Sequence, residues 1–287
     1  MIINQVGGGK KPSGTKPITT NGIHDVAGYA NADVQVPTTA PALYREFQLD
    51  NTGKLVPNTT TTHIMDFTGI TDVSVYALAY TYYNNTAISG AVDMSDLTTV
   101  SGNNACHSMF YNCTGITSVD LSSLTTISGS SAGYMFYNCT GLTSVNLSSL
   151  TTLIGNSLCQ NMFYGCYMLE SIDLSALTTI NGIGVCTSMF ANCSRLTSAN
   201  LSGLTTISGN SACGSMFSRC TSLATVYIGG TTAIDFGTQT NQFNIMFSNC
   251  TQNIDVYAPA ASQTQIEAFS GYPNFGATGT VTWHWRS

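Results

Sequence analysis

The chain has 287 residues, of which 8% are charged and 43% are hydrophobic, and its net charge is −6. Soluble domains usually carry charge on about a quarter of their residues, but a hydrophobic content this high excludes a disordered chain. The sequence has no cluster of Lys and Arg that would neutralise a row of phosphates, so we expect no nucleic-acid partner.

Residues 1–15 contain the run Gly-Gly-Gly-Lys-Lys-Pro-Ser-Gly, which predicts a flexible N-terminal arm. The arm lacks the apolar stretch of a secretory signal. No apolar run of about 18 residues, the length that would span a bilayer, occurs in the sequence. We therefore expect neither signal-directed export nor membrane insertion.

Residues 16–37 predict a small β module, because Asn21-Gly22 is a hairpin-turn signal between short alternating segments. The stretch Ile18-Thr-Thr-Asn-Gly-Ile-His-Asp-Val-Ala-Gly-Tyr-Ala resembles a short segment that recurs in tail and other virion proteins of phages of Gram-positive hosts, with His24 where Tyr is usual. This resemblance implies a connector that attaches the protein to other virion proteins. It also implies assembly in the host cytoplasm and display outside the cell, which agrees with a polar chain that has no export signal.

Residues 38–79 are predicted to form a linker and an N-terminal cap. The stretch from Pro41 to Thr62 is typical of an irregular linker, and Ile70 to Tyr80 is predicted to start the first coil of the array that follows. A terminal coil needs a cap because its core would otherwise face solvent.

A unit of about 27 residues then repeats through residues 80–258. The dipeptide Met-Phe recurs at steps of 26, 27, 27, 27 and 30 residues, and a cysteine follows three residues after each Phe. The six dipeptides begin at Met109, Met135, Met162, Met189, Met216 and Met246. A period of this length indicates a solenoid, in which each coil buries its apolar side against the next.

The run from Leu142 to Leu153 shows how one coil is built. Val145 and Leu147 alternate with polar residues, as in a half-buried strand. The Met-Phe-x-x-Cys segment has helical or 3₁₀ spacing. Each coil is therefore predicted to hold a short strand on one side and a short helical or 3₁₀ segment on the other, about 4.8 Å from the next coil.

The ten cysteines fall into two columns at the repeat spacing. Six follow the Met-Phe dipeptides, and the other four lie three residues before one: Cys106, Cys159, Cys186 and Cys213. Such columns favour ladders of buried free thiols, so no disulfide is expected. The competing interpretation is a disulfide or a metal across the recurring seven-residue gap, as between Cys159 and Cys166. Because Cys-x-x-Cys is absent and the four His fit no ligand spacing, no metal or cofactor is expected.

The unit Phe136-Tyr-Asn-Cys139-Thr-Gly-Leu142-Thr-Ser-Val145-Asn-Leu147-Ser-Ser-Leu150-Thr-Thr-Leu153 resembles the BspA-like class of bacterial leucine-rich repeats. It departs from that class in having Met before the Phe, where Ala is common. The resemblance implies an α/β-type, β-rich solenoid built as a leucine-rich repeat array, preceded here by the small N-terminal β module. It also implies a surface adhesin or recognition module, and it brings no catalytic residues.

Residues 259–287 break the repeat and are predicted to form the C-terminal cap. Gln263 to Phe269 is predicted as a short helix, and Thr278 to Trp285 as the last strand. Trp283 and Trp285 share one face of that strand. They plug the end of the core or, alternatively, stack on a sugar.

Two columns of residues are candidate binding surfaces. The strand face carries a polar column, for which the alternative interpretation as a solvated sheet face is favoured. On the other side three tyrosines are in line, and they form either a ridge for a glycan or another subunit, or a cover over the core. The strand-face candidates are Asp120, Asn146, Asp173, Asn200 and Tyr227. The tyrosine candidates are Tyr111, Tyr137 and Tyr164.

The sequence offers little for catalysis. Asp120 and Asp173 share a column but stand two coils apart, roughly 10 Å, which exceeds the window for a glycosidase carboxylate pair. No His lies near a Ser or Cys in a repeated arrangement.

A non-enzymatic phage structural protein of a tail, baseplate or head fibre is therefore predicted. We expect it to be a homo-oligomer in the particle and to contact a host-surface glycan or protein through the solenoid. The alternatives are a bacterial cell-surface adhesin and a glycan-degrading enzyme.

Overall fold

The computed structural model describes residues 47–49, 55–57, 67, 70–73 and 78–287. The predicted arm and connector module, residues 1–37, lie outside these described residues. Two short strands, β1 (Phe47–Leu49) and β2 (Leu55–Pro57), form an antiparallel pair within the segment predicted as linker and cap.

The rest of the described chain is a solenoid whose successive coils pair in parallel, which confirms the predicted fold. One strand of each coil lies in a column that we call the strand face. These strands are β4 (Ser89–Asp93), β6 (Gly115–Asp120), β8 (Ser144–Asn146), β10 (Ser171–Asp173), β12 (Ser198–Leu201), β14 (Thr225–Ile228), β15 (Ile254–Pro259) and β16 (Val281–Arg286). They form two parallel sheets, β4-β6-β8 and β10-β12-β14-β15-β16.

Another parallel sheet, on a different side of each coil from the strand face, runs along the solenoid where the sequence predicts no strand; we call it the second sheet. Its strands are β3 (Asp72–Val73), β5 (Thr99–Val100), β7 (Thr126–Ser128), β9 (Thr152–Ile154), β11 (Thr179–Asn181) and β13 (Thr206–Ser208). A threonine before each strand after the first ties this sheet together: Thr125 Oγ1 donates to the carbonyl of Thr98 at 3.1 Å, and Thr151 Oγ1 to that of Thr125 at 3.1 Å. β3 lies within the predicted cap segment, so the sheet begins before residue 80.

The Met-Phe segments, which we call the turn face, are not the helical or 3₁₀ segments that the spacing predicts. They are runs of turns in which backbone N–H groups bond alternately to the next coil and within their own coil. Phe110 N donates to the carbonyl of Met135 in the next coil at 2.8 Å, whereas Cys113 N donates to the carbonyl of Phe110 in its own coil at 3.1 Å. A 3₁₀ helix keeps all these bonds within one segment. Left-handed residues such as Asn112 (φ 58°) recur along the segment and prevent a helix from continuing.

The core is one continuous cluster between the sheets and the turn face. Its centre is a ladder of parallel phenylalanine rings, in which Phe163 lies 5.3 Å from Phe136 and 5.4 Å from Phe190 between ring centroids. Tyr82 starts the ladder in the coil that has no Met-Phe, 5.0 Å from Phe110. Phe recurs at this position from Phe110 to Phe247, and each ring stacks on that of the next coil.

A C-terminal cap closes the array, with a 3₁₀ turn (Ala260–Ser262) and the helix α1 (Gln263–Glu267) leading to β16. The indoles of Trp283 and Trp285 stack at 5.6 Å and pack against the core, as the plug interpretation predicts. Trp283 Nε1 donates to the carbonyl of Pro273 at 3.0 Å, which satisfies its one polar group.

Candidate functional site

The polar column of the strand face is explained by local backbone structure. Asp120 Oδ1 accepts the N–H of Ser122 at 2.9 Å, and Asp173 Oδ1 accepts that of Ser175 at 2.9 Å. Asn146 and Asn200 make the same bond to the residue two positions on. Each of these four side chains thus forms an Asx turn near the end of its strand. This structural role explains the polar residues without a binding role.

The predicted register of this column is only partly continuous. Asp120 pairs with Asn146, and Asp173 pairs with Asn200 and then Tyr227, but the strands of Asn146 and Asp173 belong to different sheets. The five candidates therefore do not form one unbroken polar ladder.

The strand-face column becomes aromatic in the last three coils. Tyr227 stacks on Tyr257 with ring centroids 4.9 Å apart, and Tyr257 stacks on His284 at 4.6 Å. Asp255 Oδ1 lies 2.8 Å from His284 Nε2, and the Arg286 guanidinium lies over the Tyr227 ring at 5.5 Å. Tyr257 and His284 fall in the divergent C-terminal units, which is why the repeat columns alone did not point to them.

The three tyrosine candidates lie together on the turn face. Tyr111 and Tyr137 are 4.6 Å apart between centroids and Tyr137 and Tyr164 are 4.7 Å apart, each pair within 2° of parallel. Tyr83 extends the stack by one coil at 4.8 Å from Tyr111. We call these four residues the tyrosine row. The Met-Phe pattern missed Tyr83 because its coil has Tyr82 in place of the Phe.

The stacking determines what the row presents to a partner. Tyr111 and Tyr137 have a ring against each of their faces, so their edges and hydroxyl groups are the parts left toward solvent. Burial raises the pKa of Tyr111 and Tyr137, and the neighbouring tyrosine hydroxyls raise it further. The two inner tyrosines therefore present neutral hydroxyls that donate and accept hydrogen bonds.

A second rank of rings lies beside the row. His107 makes edge contacts with Tyr80 and Tyr134, each at 5.5 Å, and Tyr134 lies 5.7 Å from Tyr137. Burial lowers the pKa of His107, so this rank is neutral at neutral pH. The result is an aromatic, hydroxyl-rich and uncharged surface.

The described residues show no metal site, and their cysteines are buried. No group of three or more His, Cys, Asp or Glu that would hold a metal ion occurs among them. All ten cysteines are buried, and six of the thiols donate to a carbonyl of the preceding coil, as Cys166 does to Phe136 at 3.3 Å. These six are Cys113, Cys139, Cys166, Cys193, Cys220 and Cys250.

Comparison with protein families supplies the identification. The model of the BspA type leucine rich repeat region matches six copies, in residues 68–161 and 103–252, which together cover more than half of the 287 residues. The chain belongs to the BspA-type leucine-rich repeat family. A crystal structure of a leucine-rich repeat protein from T. pallidum (TpLRR) is similar at 18% identity, over 59% of this chain and 70% of that chain, with a TM-score of 0.40. No curated protein matches the chain.

BspA-type proteins are often exposed at surfaces, and their solenoids are typically non-enzymatic. In the part of this BspA-type chain that the structure describes, no helix has the length and hydropathy to cross a membrane. The matched repeats include Tyr111, Tyr137 and Tyr164, so the tyrosine row is carried by the repeat array itself.

The cysteine ladders of this BspA-type array give a direct test of the thiol prediction. Burial raises the pKa of Cys250 to about 11, and it raises that of the other nine thiols as well. Because thiolate is the reactive form, we expect the folded protein at pH 8 to react slowly with a chromogenic thiol reagent. After denaturation without reductant, ten thiols should titrate; fewer would mean that disulfides form.

Proposed function

We propose that this protein is a non-catalytic recognition protein that binds its partner through the tyrosine row on the turn face. The observation that carries the proposal is the row itself: four stacked, half-buried tyrosines held at a spacing of 4.6 to 4.8 Å by a repeating core. Tyrosine combines a large rigid contact area with a hydrogen-bonding group, and it is enriched where proteins recognise other molecules.

The rigidity of the row supports a binding role. Each inner ring is held between two others, so it loses little side-chain freedom when a partner docks, and less of the binding free energy is spent on ordering. A surface that only covered the core would not need tyrosine, because Ala191 and Ser218 take the same position in the next two coils. Several copies displayed together would raise the affinity further.

The non-catalytic part of the proposal has its own support. Asp120 and Asp173, which share a repeat column, each accept a backbone N–H in an Asx turn, and their strands belong to different sheets. Turnover of a cell-wall polysaccharide by the purified protein would contradict this part.

The test of the binding surface uses fluorescently labelled protein and flow cytometry on a panel of Gram-positive bacterial cells. A row variant carries Tyr111→Ala, Tyr137→Ala and Tyr164→Ala, which installs the side chain already present at Ala191. We expect the unmodified protein to bind at least one strain saturably. We expect the row variant to bind that strain about tenfold more weakly or worse, as is typical when hot-spot aromatic residues are truncated.

The matched control is Tyr227→Asn, which removes one tyrosine from the strand face and restores the residue type found at Asn200. It should bind as the unmodified protein does. Equal binding by the row variant, or no saturable binding to any strain in the panel, would contradict the proposal.

We further propose that the protein works as a phage structural component of a tail, baseplate or head fibre. Support comes from residues 18–30 and their resemblance to the connector of virion proteins, a segment outside the described residues. Attachment to other virion proteins through this segment would leave the solenoid free to contact the host surface. The alternative is display on a bacterial cell surface, which is compatible with the family.

Mass spectrometry of purified phage particles separates the two settings. Peptides of this chain at a stoichiometry comparable to known virion proteins are the expected result. Its absence from particles, together with recovery from the bacterial envelope, would contradict the virion role and leave the recognition role in place.

A further inference from the structure

One coil breaks the repeat directly after its core cysteine. In the neighbouring coils this cysteine is followed by two small or polar residues, such as Thr140-Gly141 and Thr221-Ser222, but after Cys166 the pair is Tyr167-Met168. Tyr167 is 44% exposed and Met168 is 37% exposed, so neither is explained by the core. Large apolar side chains at an exposed repeat position, where the fold itself accepts small ones, indicate a contact surface.

The adjacent coil contacts Met168 through Arg195. Arg195 lies over Met168, with Nη1 3.5 Å from the thioether sulfur, and its Nη2 donates to Glu170 Oε1 at 2.8 Å. We call Tyr167, Met168, Glu170 and Arg195 the corner. The ion pair neutralises both charges of the corner and fixes the guanidinium above the Met side chain.

The corner continues the tyrosine row. The row ends at Tyr164 because Ala191 follows in the next coil, and Tyr167 comes three residues after Tyr164. The row and the corner therefore meet in the coil of Tyr164.

Building on the proposed function, we infer that Tyr167 and Met168 anchor a protein partner at the end of the tyrosine row. Tyr, Met and Arg are enriched at protein–protein interfaces. Here Met168 and Arg195 occupy the same repeat position in adjacent coils and contact each other, and Tyr167 directly precedes Met168. Met adapts its shape to an irregular partner surface, while the ordered tyrosines supply hydrogen bonds.

A carbohydrate partner fits this surface less well. Sugars stack on the open face of an aromatic ring, but the faces of Tyr111 and Tyr137 are covered by their neighbours in the row. An anionic polymer also fits less well, because the one described cation of the corner, Arg195, is paired with Glu170. An uncharged polypeptide face is complementary to both features.

The experiment compares binding to a strain that the unmodified protein recognises after two treatments of the cells. Proteinase digestion removes surface proteins, and mild periodate oxidation destroys surface glycans. We expect at least a tenfold loss of binding after proteinase and no change after periodate. The corner variant, Tyr167→Thr with Met168→Ser, reproduces the pair Thr221-Ser222 and should also bind about tenfold more weakly or worse.

The control variant Ile183→Ser removes another exposed hydrophobic side chain, which is 57% exposed and lies outside the corner, and it should bind normally. Loss of binding after periodate, or unchanged binding by the corner variant, would overturn the inference. In either case a weakened row variant would leave the proposed function standing, whereas an unaffected row variant would remove the proposed function itself.

Discussion

The variant Phe163→Ala is expected to lower the free energy of unfolding by about 3–5 kcal/mol, the usual cost of truncating a fully buried Phe. Phe163 is 0% exposed and lies between two parallel rings at 5.3 and 5.4 Å. Its loss removes contacts with both neighbouring coils at once. Because each coil of a solenoid is stabilised by its neighbours, a cavity here weakens the array at its middle.

Chemical denaturation followed by circular dichroism measures this effect, and Tyr164→Ala is the matched control. Tyr164 is the next residue in the same coil, but it is only half-buried, so its truncation should cost about 1 kcal/mol or less. Equal losses for the two variants would contradict the assignment of Phe163 to the core and of Tyr164 to the surface.

The variant Gly182→Ala should cost roughly 3 kcal/mol or more, since backbone strain and overpacking each typically cost 1–3 kcal/mol. Gly182 has φ 137°, and a Cβ there would lie 2.2 Å from the carbonyl oxygen of Gly155. The same close approach recurs in neighbouring coils, where a Cβ at Gly155 would lie 2.1 Å from the oxygen of Gly129. At this glycine position the backbones of successive coils therefore lie too close together for any side chain.

Gly90→Ala separates strain from collision in the same denaturation experiment. Gly90 also has positive φ (92°), but nothing lies within 4 Å of a Cβ built there. Only the conformational cost of about 1–2 kcal/mol should appear. A loss at Gly182 no greater than that at Gly90 would mean that the coils can move apart, contrary to the close packing described above.

The core and the strand face could be predicted from the sequence because their signals repeat. Alternation at Val145 and Leu147 indicates a strand with one buried side. Six copies of that pattern at a constant period indicate a solenoid. The cysteine columns followed from the same period. These features depend on the spacing of apolar residues, which can be read directly from a sequence.

The second sheet and the turn face could not be predicted in the same way. Strands of two or three residues such as Thr152–Ile154 are too short to show alternation. Their stability comes from bonds between coils, including the threonine hydroxyls. The apolar residues of the turn face have helical spacing, but alternate N–H groups bond to the next coil. These bonds cannot be predicted from the local sequence.

The candidate site was predicted in part. Tyr111, Tyr137 and Tyr164 could be predicted because each follows a Met-Phe dipeptide, whereas the coil of Tyr83 lacks that dipeptide and Tyr167 lies outside the column. Stacking geometry, which turns the row from open ring faces into a line of hydroxyls, depends on rotamers that the sequence does not encode directly.

Hydroxyl-radical footprinting of the protein bound to its target cells tests the central claim most directly, because tyrosine and methionine side chains report their own exposure through oxidation. We predict that binding protects Tyr111, Tyr137 and Tyr164, together with Tyr167 and Met168, and leaves Tyr227 and Tyr257 as reactive as in the free protein. Protection of Tyr227 and Tyr257 with an unprotected tyrosine row would place recognition on the strand face and contradict the account.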